Sequence, residues 1–145
     1  KENNMHYLFT VTFICPKGSA QSGYRAFTTG VASLRSLRGV RVMFSSLRPQ
    51  RTDDPPEMDD LLERVKYSIG SGLWNQEPLL YNAFAVTEVD AVEGSLSEIS
   101  EALSAHMSDV AIGEIPHNVT WVPLEDYGNH DPGVCLPAAR NPIAE

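Results

Sequence analysis

Two groups of charged side chains are the residues most able to bind a partner, and the first is a set of arginines. Its members fall between residues 35 and 51: Arg35, Arg38, Arg41, Arg48 and Arg51. Clustered guanidinium groups suit the recognition of phosphate or carboxylate. The sequence therefore offers, as one alternative, a binding module for a nucleotide or an RNA phosphate. No glycine-rich phosphate loop supports it, because Gly18-x4-Gly23 lacks the Lys-Ser/Thr ending of a P-loop.

The second group is acidic and follows the arginines at once. Its members are Asp53, Asp54, Glu57, Asp59, Asp60 and Glu63. Residues 1–51 carry a net charge of +7 and residues 52–145 a net charge of −15, so the overall charge of −8 conceals a bipolar chain. A surface of one sign accelerates encounter with an oppositely charged partner and discriminates between partners.

The leading hypothesis is a small acidic interaction or inhibitor-type protein, of the bacterial or phage kind. It would dock the six acidic residues on a basic protein partner. The basic and acidic segments of two copies can also pair, which would give a homodimer or a head-to-tail oligomer. The negative net charge makes nucleic acid a less favoured partner, since such binding depends on neutralising phosphates.

Residue patterns for catalysis and metal binding are sparse. The chain has no H-x3-H pair, no Cys-x2-Cys and no calcium-loop spacing, so neither a metal nor a cofactor is expected. The set His106, His117 and His130 leaves a small hydrolase as a second alternative. No catalytic residue can be assigned, and the sequence favours a protein that is not an enzyme.

Cysteine content and hydropathy bear on the compartment. Cys15 and Cys135 are the two cysteines, and we expect them to be reduced thiols rather than a bridge. No apolar run reaches the ~18 residues that a bilayer crossing needs. Lys1, the apolar residues 5–15 and Gly18-Ser19-Ala20 together imitate a signal peptide, but Thr10 and Thr12 interrupt the apolar part. These features predict a cytoplasmic protein whose first segment is a strand.

The apolar periodicity places the other elements. Residues 5–15 alternate as a central strand, residues 20–37 have helical spacing (with a strand over 24–29 as the alternative), and residues 40–44 alternate again. After a polar loop over 45–56, Asp54, Pro55 and Glu57 form a capping signal for a helix with its apolar stripe at Met58, Leu61, Leu62, Val65 and Ile69. A strand over 81–89, a helix capped by Ser95 and a strand over 117–122 complete the order.

This order, β-α-β, helix, β-α-β, predicts an α+β fold of the ferredoxin-like split β-α-β type. The expected sheet has four mainly antiparallel strands with helices on one face, and an extra helix is inserted between the two halves. A mixed α/β three-layer arrangement is the competitor. Residues 1–122 would form a single domain, and residues 123–145 would form an irregular Pro/Gly-rich tail packed on it.

Overall fold

The protein is built on an antiparallel β-sheet flanked by helices, which confirms the predicted α+β class. The computed structural model describes residues 4–68 and 77–125. The elements in this part of the chain are β1 (Asn4–Pro16), α1 (Ala20–Ser33), β2 (Val40–Ser45), β3 (Gln50–Arg51), α2 (Pro55–Ser68), β4 (Pro78–Asp90), α3 (Leu96–Ala105), β5 (Ser108–Asp109), β6 (Gly113–Glu114) and β7 (His117–Pro123).

The two longest strands form the centre of the sheet. β1 pairs antiparallel with β4 along all 13 of its residues, from Asn4 opposite Asp90 to Pro16 opposite Pro78. β7 pairs with the other side of β1, and β2 pairs with the other side of β4, so the strand order is β2-β4-β1-β7. β5 and β6 form a separate two-stranded hairpin.

The sheet has five strands rather than the predicted four. The additional strand is β3, whose two residues pair with β4 at Tyr81 and Asn82 on the same side as β2. β2 reaches only as far as Ala85, and β4 runs on to Pro78, so β3 covers part of the remaining edge of β4. A strand of two residues that follows Pro49 has no periodicity, which is why residues 45–56 were predicted to be loop throughout.

The main core lies between one face of the sheet and the helices α1 and α3. Phe9, Val11, Phe13 and Cys15 alternate along β1 and are fully buried in it, as the strand pattern predicts. α1 approaches β1 so closely at Gly23 that a Cβ atom there would lie 2.1 Å from the Phe13 ring. Phe13 also stacks on Tyr81, with ring centroids 5.7 Å apart, so the ring has little room to move.

Helix α2 lies on the opposite face of the sheet, which corrects the prediction that the helices share one face. Its Leu61 is buried against Ile14 and Leu80, which are cross-strand partners. Ile14 follows Phe13 in β1, and successive strand residues point to opposite faces. The inserted helix does fall between the two β-α-β halves of the chain, as expected.

The first helix is shorter than predicted. α1 ends at Ser33 and a 3-10 turn, Leu34–Ser36, follows it. The alternative of a strand over 24–29 is wrong. Gly39 has the positive φ of 71° that suits glycine, and a Cβ atom there would lie 2.7 Å from the backbone nitrogen of Gly94.

Several predictions concern residues outside the described ranges. They include the end of the α2 apolar stripe at Ile69, together with His130 and Cys135. Most of the predicted tail, residues 126–145, is outside them as well. The predicted domain division at residue 123, the state of Cys135 and any role of His130 therefore stay predictions.

Candidate functional site

The acidic group lies at the start of α2, with its members displayed by the way the helix packs. The Asp54 side chain accepts a hydrogen bond from the Glu57 backbone N–H at 3.3 Å, which confirms Asp54 as the N-cap. Met58, Leu61 and Leu62 face the sheet. At 100° per residue, Asp59, Asp60 and Glu63 fall on the opposite side, and all three are exposed.

The acidic residues differ in whether the chain already uses them. Asp60 forms an ion pair with Arg64 one helical turn later, at 3.1 Å, and Glu57 accepts a hydrogen bond from the Asn118 side chain. Asp53 and Asp59 are exposed, and within the described part of the chain neither forms an ion pair or hydrogen bond. These two carboxylates are therefore the acidic groups most available to a partner.

Arg64 joins α2 to the outer strand β7. Its guanidinium donates to the backbone carbonyl oxygen of His117 at 2.8 Å and to the side-chain oxygen of Asn118 at 2.6 Å, in addition to its pairing with Asp60. Sequence reasoning missed this residue as part of a site. The Asp60–Arg64 spacing of four residues was a readable signal for the ion pair, but the contacts with β7 cross more than 50 positions of chain.

Among the arginines, Arg41 is neutralised by the chain itself. Its Nε and Nη2 atoms lie 2.9 and 2.6 Å from Oε1 of Glu88, its neighbour across the β2–β4 pair. Asn4 also donates to Glu88, at 3.1 Å. The hydrogen bonds from Arg41, followed by that from Asn4, lower the pKa of the Glu88 carboxyl. Arg41 is consequently a poor candidate for an external phosphate.

The other four arginines are exposed along the side of the molecule that β2 and β3 form. Arg35 lies in the 3-10 turn, Arg38 precedes β2, Arg48 lies between β2 and β3, and Arg51 is in β3. In the described residues none of the four forms an ion pair. Of the five predicted arginines, Arg41 is therefore paired with Glu88, and the other four are exposed to solvent without an ion pair within the described part of the chain.

The histidines are held in different surroundings. His6 is exposed on β1, and the His106 Nδ1 lies 2.9 Å from the carbonyl oxygen of Ala102 in its own helix. The His117 Nδ1 lies 2.7 Å from the carbonyl oxygen of Ile115, and its Nε2 lies 2.6 Å from the Ser104 hydroxyl of α3. No contact within the described ranges brings His106 and His117 together.

The Ser104–His117 contact has a definite chemical character. A carbonyl oxygen can only accept, so Nδ1 carries the proton, and Nε2 accepts from the Ser104 hydroxyl. Burial lowers the pKa of His117, although the hydrogen bond to Ile115 opposes the effect. The imidazole is therefore neutral at physiological pH. A neutral imidazole accepting from a serine hydroxyl is the arrangement of a general base beside a nucleophile.

A further ion pair that sequence reasoning missed fastens the β5–β6 hairpin to α1. Arg25 donates to both carboxylate oxygens of Asp109, at 3.1 and 2.9 Å. The hydrogen bond from Arg25 lowers the pKa of the Asp109 carboxyl, whose side chain is only 8% exposed. Because the pair joins residues 84 positions apart, no local sequence pattern predicts it.

An open pocket lies between the start of β1 and the end of β7. It is lined by Asn4, Met5, His6, Leu124 and Glu125. Across residues 4–68 and 77–125, no three His, Cys, Asp or Glu side chains are grouped so as to hold a metal ion. In the same ranges, no helix has the length and apolar character needed to cross a membrane.

Comparisons with known proteins give no relative. No protein-family model matches the sequence, and neither a curated protein nor a solved structure gives a significant match.

Proposed function

We propose that the protein is a small cytoplasmic interaction protein of inhibitor type that docks the acidic start of α2 on a basic protein partner. The observation that carries this proposal is that Asp53 and Asp59 are exposed and unpaired within the described chain. Four exposed arginines of the same chain are also unpaired. Charges of both signs thus stay available on the surface. Asp59 lies on α2, which its apolar side anchors to the sheet, and Asp53 directly precedes the Asp54 N-cap of that helix.

The test is a charge reversal at the two available carboxylates. The double variant Asp53→Lys/Asp59→Lys should lose capture of basic proteins from a lysate of the native host. It should also slow association with a captured partner by about tenfold at low salt, because steering depends on the sign of the surface. Pull-down with mass spectrometry, followed by association kinetics at two salt concentrations, measures both effects.

The matched control makes the same change of charge elsewhere. Glu93 and Glu101 are exposed acids outside α2, so Glu93→Lys/Glu101→Lys alters net charge equally. Capture of the same basic proteins should survive in the control. Equal capture by both double variants, or capture that is independent of salt, contradicts docking through α2. Thermal unfolding of each variant shows whether the fold is kept.

A second candidate function is binding of a nucleotide or another phosphorylated molecule. It is supported by the four exposed arginines without ion pairs: Arg35, Arg38, Arg48 and Arg51. Thermal-shift measurements with nucleotides and short RNAs test it. A shift that Arg38→Ala abolishes supports this function, and the absence of any shift across the panel contradicts it.

A hydrolase function is supported only by the Ser104–His117 hydrogen bond. An activated Ser104 should react with a fluorophosphonate probe, and Ser104→Ala and His117→Gln should each remove the label. Labelling that survives either substitution, or no labelling of the native chain, contradicts this function.

We also propose that the fold is of the ferredoxin-like split β-α-β type. The strand order supports this, because β4 lies between β1 and β2, and β1 lies between β4 and β7. Each β-α-β connection therefore skips one strand. The contacts of α1 with α3, on the face opposite α2, agree with two crossover helices side by side.

A further inference from the structure

The outer strand β7 presents backbone hydrogen-bonding groups to the outside of the sheet. The Ile14 N–H donates to the carbonyl oxygen of Pro116 at 3.2 Å, and hydrogen-bonded residues alternate along an antiparallel pair. In the β1–β7 register, Asn118, Thr120 and Val122 therefore bond to β1. The N–H and C=O groups of the residues between them, Val119 and Trp121, point away from the sheet.

Each end of this outward row lacks one of its two hydrogen-bonding groups. Arg64 already donates to the outward carbonyl oxygen of His117, and Pro123 has no N–H to offer. Between them, the outward groups of Val119 and Trp121 have no hydrogen-bond partner in the described part of the chain. Residues with both outward groups unpartnered are thus confined to a short segment of the strand.

The side chains of this segment are uncharged and suited to strands. β7 reads HNVTWVP and contains no Asp, Glu, Lys or Arg. Trp121 is 39% exposed and Val122 is 37% exposed, and Thr120 between them is exposed as well. Unpaired backbone groups flanked by β-branched and aromatic side chains are a template for pairing with another strand.

We propose that β7 pairs antiparallel with β7 of a second copy of this chain, about a two-fold axis that passes between the two copies of Thr120. In this register Val119 exchanges two hydrogen bonds with Trp121 of the partner subunit, and the symmetric pair doubles them to four. The proposal concerns β7 alone and does not depend on docking through α2.

The lack of charge favours a second copy as the occupant. In a two-fold interface each residue near the axis meets its own copy, so a charged side chain there would face a like charge. β7 avoids this repulsion along its whole length. Pairing would also join the two sheets into one continuous sheet, with the two copies of α3 on the same face.

The decisive experiment places charge at the axis. Sedimentation equilibrium of the native chain should give about twice the monomer mass of 16.0 kDa. Thr120→Glu and Thr120→Lys should each give the monomer mass, and an equimolar mixture of the two should regain the dimer, because unlike charges then face each other. Thr120 is exposed and its backbone bonds to β1 are unchanged, so both variants should keep the fold.

The control pair is Met43→Glu and Met43→Lys. Met43 is 43% exposed on β2, the outer strand on the other side of the sheet, so neither change should alter the mass of the dimer. A native chain that sediments as a monomer overturns the proposal. So does a dimer that Thr120→Glu leaves intact, or a mixture of charged variants that stays monomeric.

Hydrogen exchange of the native protein gives an independent reading that needs no variant. The amides of Val119 and Trp121 should become protected as protein concentration rises and exchange faster on dilution. Protection that persists in the diluted monomer shows that other residues of the same chain cover this edge, and it would overturn pairing between copies.

Discussion

The two outer sides of the sheet differ in the residues of their strands. β2, β3 and the residues between them include Arg41, Arg48 and Arg51 and a register shift between Val42 and Phe44, whereas β7 itself contains no charged residue. Charged side chains, bulges and very short strands are the usual means by which sheet edges avoid pairing with other molecules. β2 and β3 use all three, and β7 uses none over Val119–Trp121. This difference supports the proposal that β7, and not the β2–β3 side, pairs with a second copy of the chain.

The strongest test of this difference removes an outward N–H group from β7. Val119→Pro deletes a donor that does not serve the β1–β7 pair, and proline is tolerated at such edge positions. One bond is lost from each copy, at about 0.5–1.5 kcal/mol per bond. The two bonds together are worth about 1–3 kcal/mol, so the dimer dissociation constant should rise roughly 5- to 140-fold, since 1.4 kcal/mol corresponds to tenfold. Val119→Thr keeps the N–H and should bind as the native chain does; equal constants for the two variants contradict the proposal.

The next test removes the protection of the β2–β3 side. Arg48→Ser with Arg51→Thr deletes two exposed charges there, so a second edge becomes available and dimers should join into larger species as concentration rises. Sedimentation velocity follows the mass distribution. Arg35→Ser with Arg38→Thr removes the same charge from residues that precede β2 and serves as the control. Identical distributions for both pairs would show that Arg48 and Arg51 do not protect this edge.

A third test concerns the start of β7, where His117 is held neutral. Burial lowers its pKa below the ordinary 6.5, so as pH falls below 6.5 the unfolded chain takes up a proton before the folded chain does. Folding stability contributed by this group is complete above 6.5 and declines as pH falls toward the folded-state pKa. Urea unfolding at about pH 7.5 and about pH 5.5 should show a smaller loss for His117→Gln than for the native chain. His6→Gln, at an exposed site, should behave as the native chain; parallel losses in all three would show that His117 is not the group responsible.

The smallest effect is expected at the ion pair that β2 contributes. Arg41→Gln removes the hydrogen bonds that lower the pKa of Glu88, so that pKa should rise toward the ordinary 4.5. A carboxyl with a lowered pKa stabilises the fold above its unfolded-state pKa, and the contribution is lost as pH falls through its folded-state pKa. The variant should therefore be slightly less stable than the native chain at neutral pH and equal to it in acid. A constant difference across this pH range would assign the effect of Arg41 to packing instead.

Local patterns predicted the elements well. The alternation of Phe9, Val11 and Phe13 predicted β1, and Asp54 with Glu57 predicted the start of α2. These signals depend on neighbouring residues, which is why they can be read directly from the sequence. The strands of two residues, β3 and the β5–β6 hairpin, are too short to show a period. α2 packs on the face of the sheet opposite α1 and α3 because Ile14 and Leu80 pair there and form its apolar contact. The apolar stripe of α2 alone does not specify which face of the sheet it covers.

The candidate site was predictable only as a set of exposed charges. The sequence indicated which acids and arginines lie close together along the chain. It did not indicate that Arg41 forms an ion pair with Glu88 or that Arg64 forms one with Asp60. It also gave no sign of the Ser104–His117 contact, because α3 and β7 meet only after the chain turns through the β5–β6 hairpin. Such contacts depend on the packing of distant segments, and one sequence without its structure does not supply them.

Arg64 has a consequence for how the two proposed surfaces would affect each other. The Arg64 guanidinium donates to Asp60 of α2 and also to His117 and Asn118 at the start of β7, so it joins the two surfaces. A basic group that takes Asp60 from Arg64 would change the charge balance around that strand, and pairing of the strand would in turn change how firmly Arg64 holds Asp60. Linkage requires any such influence to be equal in both directions, so a partner that loosens the dimer must itself bind the dimer more weakly than the monomer.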